Sequence, residues 1–286
     1  MPKVLTQTIQ FAAVSEVNGR KSNDDRLFAG WSGPGGDESI AVCCVADGVA
    51  ACANGKDGAD IVVETFCGAL HWLETVDREA IRQSLDRWSV ECRQAIAMLS
   101  HDIGGDAQTT FTGVCLYGDE SVLVHIGDTR AYWYSGGKLH RLTRDDTHAQ
   151  LALDRGVAPQ LIRPTDHRAL TKCINGSGRG DKPAMVFDSF PASSPGWLLV
   201  SSDGMHDWVS DRSVAAIVSG SDSAQTCARR LVDSAIAYGS TDNVSVAVVK
   251  LGEPAQARRT PRRETIVVPS RGSAAWRGTL KRWLHT

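Results

Sequence analysis

The sequence predicts an α+β protein in which antiparallel sheets pack together with helices outside them. Three observations carry this reading. Segments with strand periodicity outnumber those with helical periodicity, and the helical segments come in blocks rather than alternating singly with strands, which disfavours a doubly wound parallel sheet. No linker or internal repeat divides residues 1–252, so these form one domain, with a tail of different composition at 253–286.

Short β-prone segments around 8–15, 26–31 and 39–46 are separated by turn-rich stretches such as SGPGGDE. From Lys56 the period changes: Val62, Phe66 and Leu70 are four apart, with Val63 and Cys67 beside them, as one helix face requires. Asp77 is placed to cap the next helix, in which Ile81, Leu85, Trp88, Cys92, Ala95 and Leu99 recur at 4-3-4-3-4 spacing until Gly104-Gly105. Residues 109–142 read as antiparallel strands, with clean alternation at Val122, Val124 and Ile126 and a hairpin turn at Gly136-Gly137. A short helix at 147–154 ends before Gly156, and 157–183 is loop-like. Strands at 184–190 and 197–202, a helix at 222–237 and a last strand at 243–251 complete the domain.

The 286 residues carry 31 Lys+Arg against 33 Asp+Glu, a net charge of −2 that conceals two unlike parts. From Glu253 onward there are eight basic and two acidic residues, +6, which leaves the preceding 252 residues at −8. An acidic body with few aromatic-rich basic strands argues against nucleic-acid binding. The eight cysteines have no metal-ligand spacing and several sit in apolar runs, so they are expected to be buried free thiols of a reducing cytoplasm. No apolar run is long enough for a transmembrane segment.

The chemistry is carried by aspartates at strand ends. IAVCCVA runs into Asp47-Gly48, SVLVHI into Gly127-Asp128 and WLLVSS into Asp203-Gly204; Asp242-Asn243 precedes VSVAVV, and Asn23-Asp24-Asp25 precedes RLFAGW. Strand ends from different parts of a sheet can converge, and converging carboxylates resist ionising together unless a cation neutralises them. Oxygen ligands alone favour Mg²⁺ or Mn²⁺ over zinc. On the residues alone, these are either the ligands of a binuclear Mg²⁺/Mn²⁺ hydrolase or a set of structural turns.

Six segments, in order, resemble the metal-dependent Ser/Thr protein phosphatases of type 2C, the PPM family: RKSNDDR (20–26), VADGVAACANGKDGA (45–59), TTFTGV (109–114), VHIGDTRAYWYSGGKLHRLTRDDT (124–147), LLVSSDGMHDWV (198–209) and TDNVSVAVV (241–249). The resemblance covers about residues 8–251. It implies a four-layer αββα sandwich with two Mn²⁺ or Mg²⁺ ions, or three, at one edge. Matched position by position, Asp47 bridges two ions with help from the Gly48 carbonyl. Asp203 and Asp242 hold the first ion, Asp24 orients water on the second, and Asp128 belongs to a third. Asp25 and Asn243 are secondary candidates, and Arg20 matches the phosphate-binding arginine. The implied reaction is direct attack of a hydroxide shared by the ions on a phosphomonoester of Ser or Thr, without a phosphoenzyme.

Departures from the family pattern are Ala50-Ala51 for the usual Gly-Gly, Val49 for the His general acid of many eukaryotic members, and Gln108 for a common Gly. Thr129 stands for Ser, and Asp146 for the His of the Leu-Thr-x-Asp-His segment. His206 is either a substitute acid or an ordinary packed histidine. No carboxylate is lost, which favours an enzyme over a non-catalytic phosphoprotein-binding scaffold on the same fold. No Asp-x-Asp occurs, which argues against a haloacid dehalogenase type phosphatase. The implied partners are phosphorylated Ser/Thr proteins and a cognate Ser/Thr kinase. The basic 157–183 region corresponds to the family's flap, which on the resemblance borders the site; its charge either recruits phosphorylated or acidic segments or belongs to a solvated loop countered by Asp166 and Asp181. In the tail, Trp276, Leu280, Trp283 and Leu284 form a short amphipathic helix pattern, suited to docking on the catalytic body, to a partner protein or to an anionic membrane surface.

Overall fold

The computed structural model describes residues 5, 7–34, 39–49, 52, 54–176 and 182–254. In chain order the elements are β1 (Gln7–Glu16), β2 (Asp25–Ser32), β3 (Ile40–Asp47), α1 (Gly55–His71), α2 (Arg78–Ile103), β4 (Gln108–Thr109), β5 (Phe111–Tyr117) and β6 (Glu120–Ile126). There follow β7 (Arg130–Ser135), β8 (Lys138–Arg141), α3 (His148–Asp154), β9 (Ile174–Asn175), β10 (Ala184–Phe187), β11 (Gly196–Ser201), α4 (Asp203–His206), α5 (Asp211–Ser219), α6 (Ala224–Ala237) and β12 (Val244–Pro254).

Two five-stranded antiparallel sheets result, one in the order β1-β12-β11-β7-β8 and the other β10-β6-β5-β3-β2. Period-two alternation explains the layering, because every central strand is apolar on both faces. In β3, Ile40, Val42, Cys44 and Ala46 pack with α1 and α2, whereas Ala41, Cys43 and Val45 pack between the sheets. In β12, Val244, Val246 and Val248 pack with α5 and α6, whereas Ala247, Val249 and Leu251 face the other sheet. The order of layers is therefore helix, sheet, sheet, helix, as expected.

The helices begin and end where the sequence says they should. Asp77 caps α2 by accepting the Ala80 N–H, and Gly104 closes it in the left-handed conformation at φ 70°. Of the expected α2 stripe, Ile81, Leu85, Trp88, Cys92 and Leu99 are buried, but Ile96 takes the core place expected of its neighbour Ala95. Helix α5 is an addition to the sequence reading; its signal is Ser210, which caps it, with Val214, Ile217 and Val218 at i, i+3 and i+4. The segment expected to be a strand to residue 190 ends at Phe187, because Asp188 adopts φ 54°. The loop-like 157–183 region contains two 3₁₀ turns and β9, which pairs with β4.

All eight cysteines are free thiols, six of them buried. Among the described residues no helix is long and apolar enough to cross a membrane. Ala50-Ala51, Arg179 of the flap, and the tail from residue 255 with its Trp276–Leu284 pattern lie outside the described residues.

Candidate metal centre

Antiparallel pairing gathers the aspartate-bearing strand ends at one end of the sandwich. In one sheet the start of β2 lies opposite the end of β3, so that Asp25 and Asp47 are directly paired. In the other, the start of β12 lies beside the end of β1 and the end of β11, which places Asp242 and Asp203 together. Gly204 makes that approach close, since a Cβ there would stand 1.9 Å from the Asn243 carbonyl oxygen. Gly48 does the same for the first turn of α1, where a Cβ would stand 2.5 Å from Gly55 backbone atoms.

A hydroxyl joins the two halves. Ser202, at the end of β11, donates to the Asp25 carboxylate across the sheets at 2.8 Å. The loop before β2 is held by Asn243, whose side-chain amide donates to the Val17 and Ser22 carbonyls and accepts the Asp24 N–H at 2.9 Å. Asn243 thus builds the loop, and its amide is occupied in doing so. The Asp24 carboxylate accepts from Ser22 at 2.8 Å, and its carbonyl accepts the Gly48 N–H at 3.2 Å. Behind Asp25, Arg26 grips the loop: it forms a two-pronged ion pair with Asp60 of α1 and donates to the carbonyls of Asn23 and Asp25.

The carboxylates repel one another. Burial, then Asp25, Asp203, Asp128 and Asp242, push Asp47 well above the ordinary carboxylate range. Asp25 is raised to about 7, chiefly by burial, with Asp203 and Asp242 adding to it against the pull of Ser245 and Ser202. Asp203 is raised to about 6 by burial and by Asp242 and Asp207, although its carboxyl lies within hydrogen-bonding reach of Asp47. Asp128 is also raised, by burial, Asp203, Asp145 and Asp207. Among the described residues no three His, Cys, Asp or Glu side chains close on one point as a finished ligand set. The donors are nevertheless oxygen-only, crowded and short of positive charge, which is the chemistry that suits a hard divalent cation. Arg20 contacts this set, one of its guanidinium nitrogens donating to Asp242 at 2.6 Å.

Two further carboxylates belong to the patch without having been singled out in the sequence. Asp207, four residues after Asp203 and so on the same side of the turn, was legible from that spacing. Asp145 stands at the Asp of the Leu-Thr-x-Asp-His-like segment, where it was given no role, and its ion pairs with Arg130 and Arg141 bring it in. His206, in contrast, is buried with its ring against the Ser201 hydroxyl at 3.0 Å. Burial, with Arg130 and Arg141, holds its pKa well below the usual value. Its ring is packed in the core beside Ser201, which favours the packing role over that of a substitute acid.

These shifts have a signed consequence. Asp25 and Asp203 bind a proton more firmly folded than unfolded, so their contribution to stability is greatest below about pH 4 and is lost as pH rises through about 6 to 7. The melting temperature of the chain in EDTA is expected to fall by roughly 5–10 °C between pH 5 and pH 8, and Mn²⁺ at pH 8 should restore it. A flat or rising profile in EDTA would contradict the repulsion.

The sequence model of the family described as Protein phosphatase 2C matches residues 15–238. Serine/threonine protein phosphatase PstP of Mycobacterium tuberculosis is 28% identical over 249 residues, covering 85% of this chain and 45% of PstP. Protein phosphatase PhpP of Streptococcus pneumoniae is 26% identical over 160 residues, 54% of this chain and 64% of PhpP. The chain thus spans about half to two thirds of the length of these curated relatives. The structure of M. tuberculosis PstP/Ppp superposes with a TM-score of 0.71 at 25% identity, covering 86% of this chain and 99% of that one. The PstP catalytic domain in complex with two manganese ions gives 0.69 at 26% identity, covering 87% and 100%.

Proposed function

Since the chain belongs to the protein phosphatase 2C family, we propose that it is a metal-dependent Ser/Thr phosphoprotein phosphatase. The observation that carries the proposal is the meeting of Asp25 and Asp47 from one sheet with Asp203 and Asp242 from the other, as mutually repelling carboxylates beside Arg20. A relative with 26% identity holds two manganese ions, and Mn²⁺ or Mg²⁺ is the ion class this donor set suits.

Asp47, Asp203 and Asp242 would hold the ions with the Gly48 carbonyl, Asp24 would order water, and Asp128 would serve a further ion. Ions bound there supply Lewis acidity and lower the pKa of water toward neutrality. Arg20 binds the phosphoryl group: one nitrogen is bonded to Asp242 and the remaining N–H donors of its planar fork suit phosphoryl oxygens. Asn243 and Arg26 hold the loop that presents Asp24 and Asp25. The buried cysteines are unsuited to attack phosphorus, so the residues act by binding and orientation.

The substrates on this reading are phosphorylated Ser/Thr proteins, and the chain opposes a Ser/Thr kinase in the cytoplasm, with the basic segment 253–286 binding a partner protein. The test is phosphate release from a phosphothreonine peptide by the full chain with Mn²⁺, lost in EDTA. Peptide binding indifferent to EDTA, without phosphate release, would overturn the enzyme in favour of a scaffold.

A further inference from the structure

Asp146, where the chain leaves the sandwich for the flap, has every polar group engaged. Its N–H donates to the Gly127 carbonyl at 2.7 Å, and one carboxylate oxygen accepts the Gly127 N–H at 3.1 Å. The other carboxylate oxygen accepts the Lys172 ammonium at 2.7 Å, and its carbonyl accepts the Thr171 N–H at 2.8 Å. The outgoing and returning strands of the flap root are also zipped together, by the His148 N–H on the Ala169 carbonyl and by the Thr147–Leu170 bridge. On the far side, Gly127 is wedged at φ 101°, where a Cβ would stand 2.5 Å from the Thr110 Cβ, and the Thr110 N–H donates to the Asp47 carbonyl at 2.9 Å. Asp128 is the next residue. Close contacts therefore run unbroken from Lys172 in the flap through Asp146 and Gly127 to Asp128 and Asp47.

We propose that Asp146 is a positioning residue which, with Lys172, fixes the root of the flap to the Gly127-Asp128 turn, so that flap and metal-site loop move together. Its effect on catalysis rests on the phosphatase reading; the coupling itself does not. The residue type matters, because the family's usual His in this segment could not accept from both Gly127 and a lysine. The ion pair is half-exposed at Lys172 and mostly covered at Asp146, so it is a weak latch that opens readily.

The test is amide hydrogen exchange of the full chain in EDTA, where no turnover is involved. Lys172→Met should speed exchange roughly two- to fivefold both at 169–173 and at 127–129, and Lys172→Arg should leave both segments near the wild-type rate. Asp146→Ala should speed both more, and adding Lys172→Met to it should change nothing further. Unchanged exchange at 127–129 in Lys172→Met, or additive effects in the double variant, would overturn the coupling. If Asp146→Ala does not fold, Lys172→Met decides alone. For phosphatase activity, the same variant should raise KM for a phosphothreonine peptide with little change in kcat. A chain without activity would still give the exchange result, so the two readings fail separately.

Discussion

Asp47→Asn is expected to abolish Mn²⁺-dependent phosphate release while making the metal-free chain more resistant to heat. The two effects have one origin. Asp47 is the carboxylate on which the others converge, and burial with four like neighbours makes its charge costly in the absence of a cation. A neutral amide of the same shape removes that repulsion, so the melting temperature in EDTA should rise by about 2–8 °C, corresponding to roughly 1–2 kcal/mol for a chain of this size. The same substitution takes away the charge proposed to bridge the ions. Metal stabilisation of the reacting group is worth several kcal/mol, so a loss of about 10³-fold or more in kcat/KM is expected. Enzyme assays with Mn²⁺ and thermal melts in EDTA measure the two halves independently. A variant that loses activity and also melts lower without metal would indicate a structural aspartate.

Asp60→Ala is expected to produce the largest loss of stability. Asp60 is buried in α1 at 2% exposure, and its carboxylate pairs with the guanidinium of Arg26, itself 14% exposed. Removing one partner leaves a charge with no compensation in a poorly solvated place, which costs about 3–5 kcal/mol. The loss should also reach the site, because Arg26 holds the Asn23 and Asp25 carbonyls. Urea unfolding should show the midpoint shift, and the folded fraction should need more Mn²⁺ for half-maximal turnover. A shift below about 1 kcal/mol would mean that water reaches Arg26 in the variant. An Asp60→Leu, Arg26→Met pair should recover much of the stability but not the metal affinity, which separates the two roles.

The legible parts of this protein are those in which one face of an element decides its fate. The α1 and α2 stripes, the capping by Asp77 and the double-sided burial of β3 all follow from local period and turn chemistry. Helix α5 carried the same kind of signal, in nine residues after a serine cap. For the site, Asp-Gly steps after apolar strands mark the carboxylates, but nothing local distinguishes a ligand from a turn; convergence depends on antiparallel register, which pairs residues as far apart as Glu16 and Val244. The partners of Asp145 and Lys172 were hidden for the same reason, since they are set by how loops cross the sheet end. Asn243 and His206 show the converse, with ligand-type side chains used to hold backbone or to pack.

The position of β12 between β1 and β11 determines when the site can exist. A ribosome adding about 5–20 residues per second needs roughly 12–50 s to pass from the first strand to the last. Throughout that interval β1 lacks its partner and exposes an open edge of the kind that recruits other chains, whereas β11, made late, waits only about 2–9 s for the same strand. Half of the carboxylates are in place early and Asp242 is among the last residues of the described fold to emerge. On the proposed reading, a nascent chain would lack a complete set of metal-holding carboxylates until its fold is nearly complete.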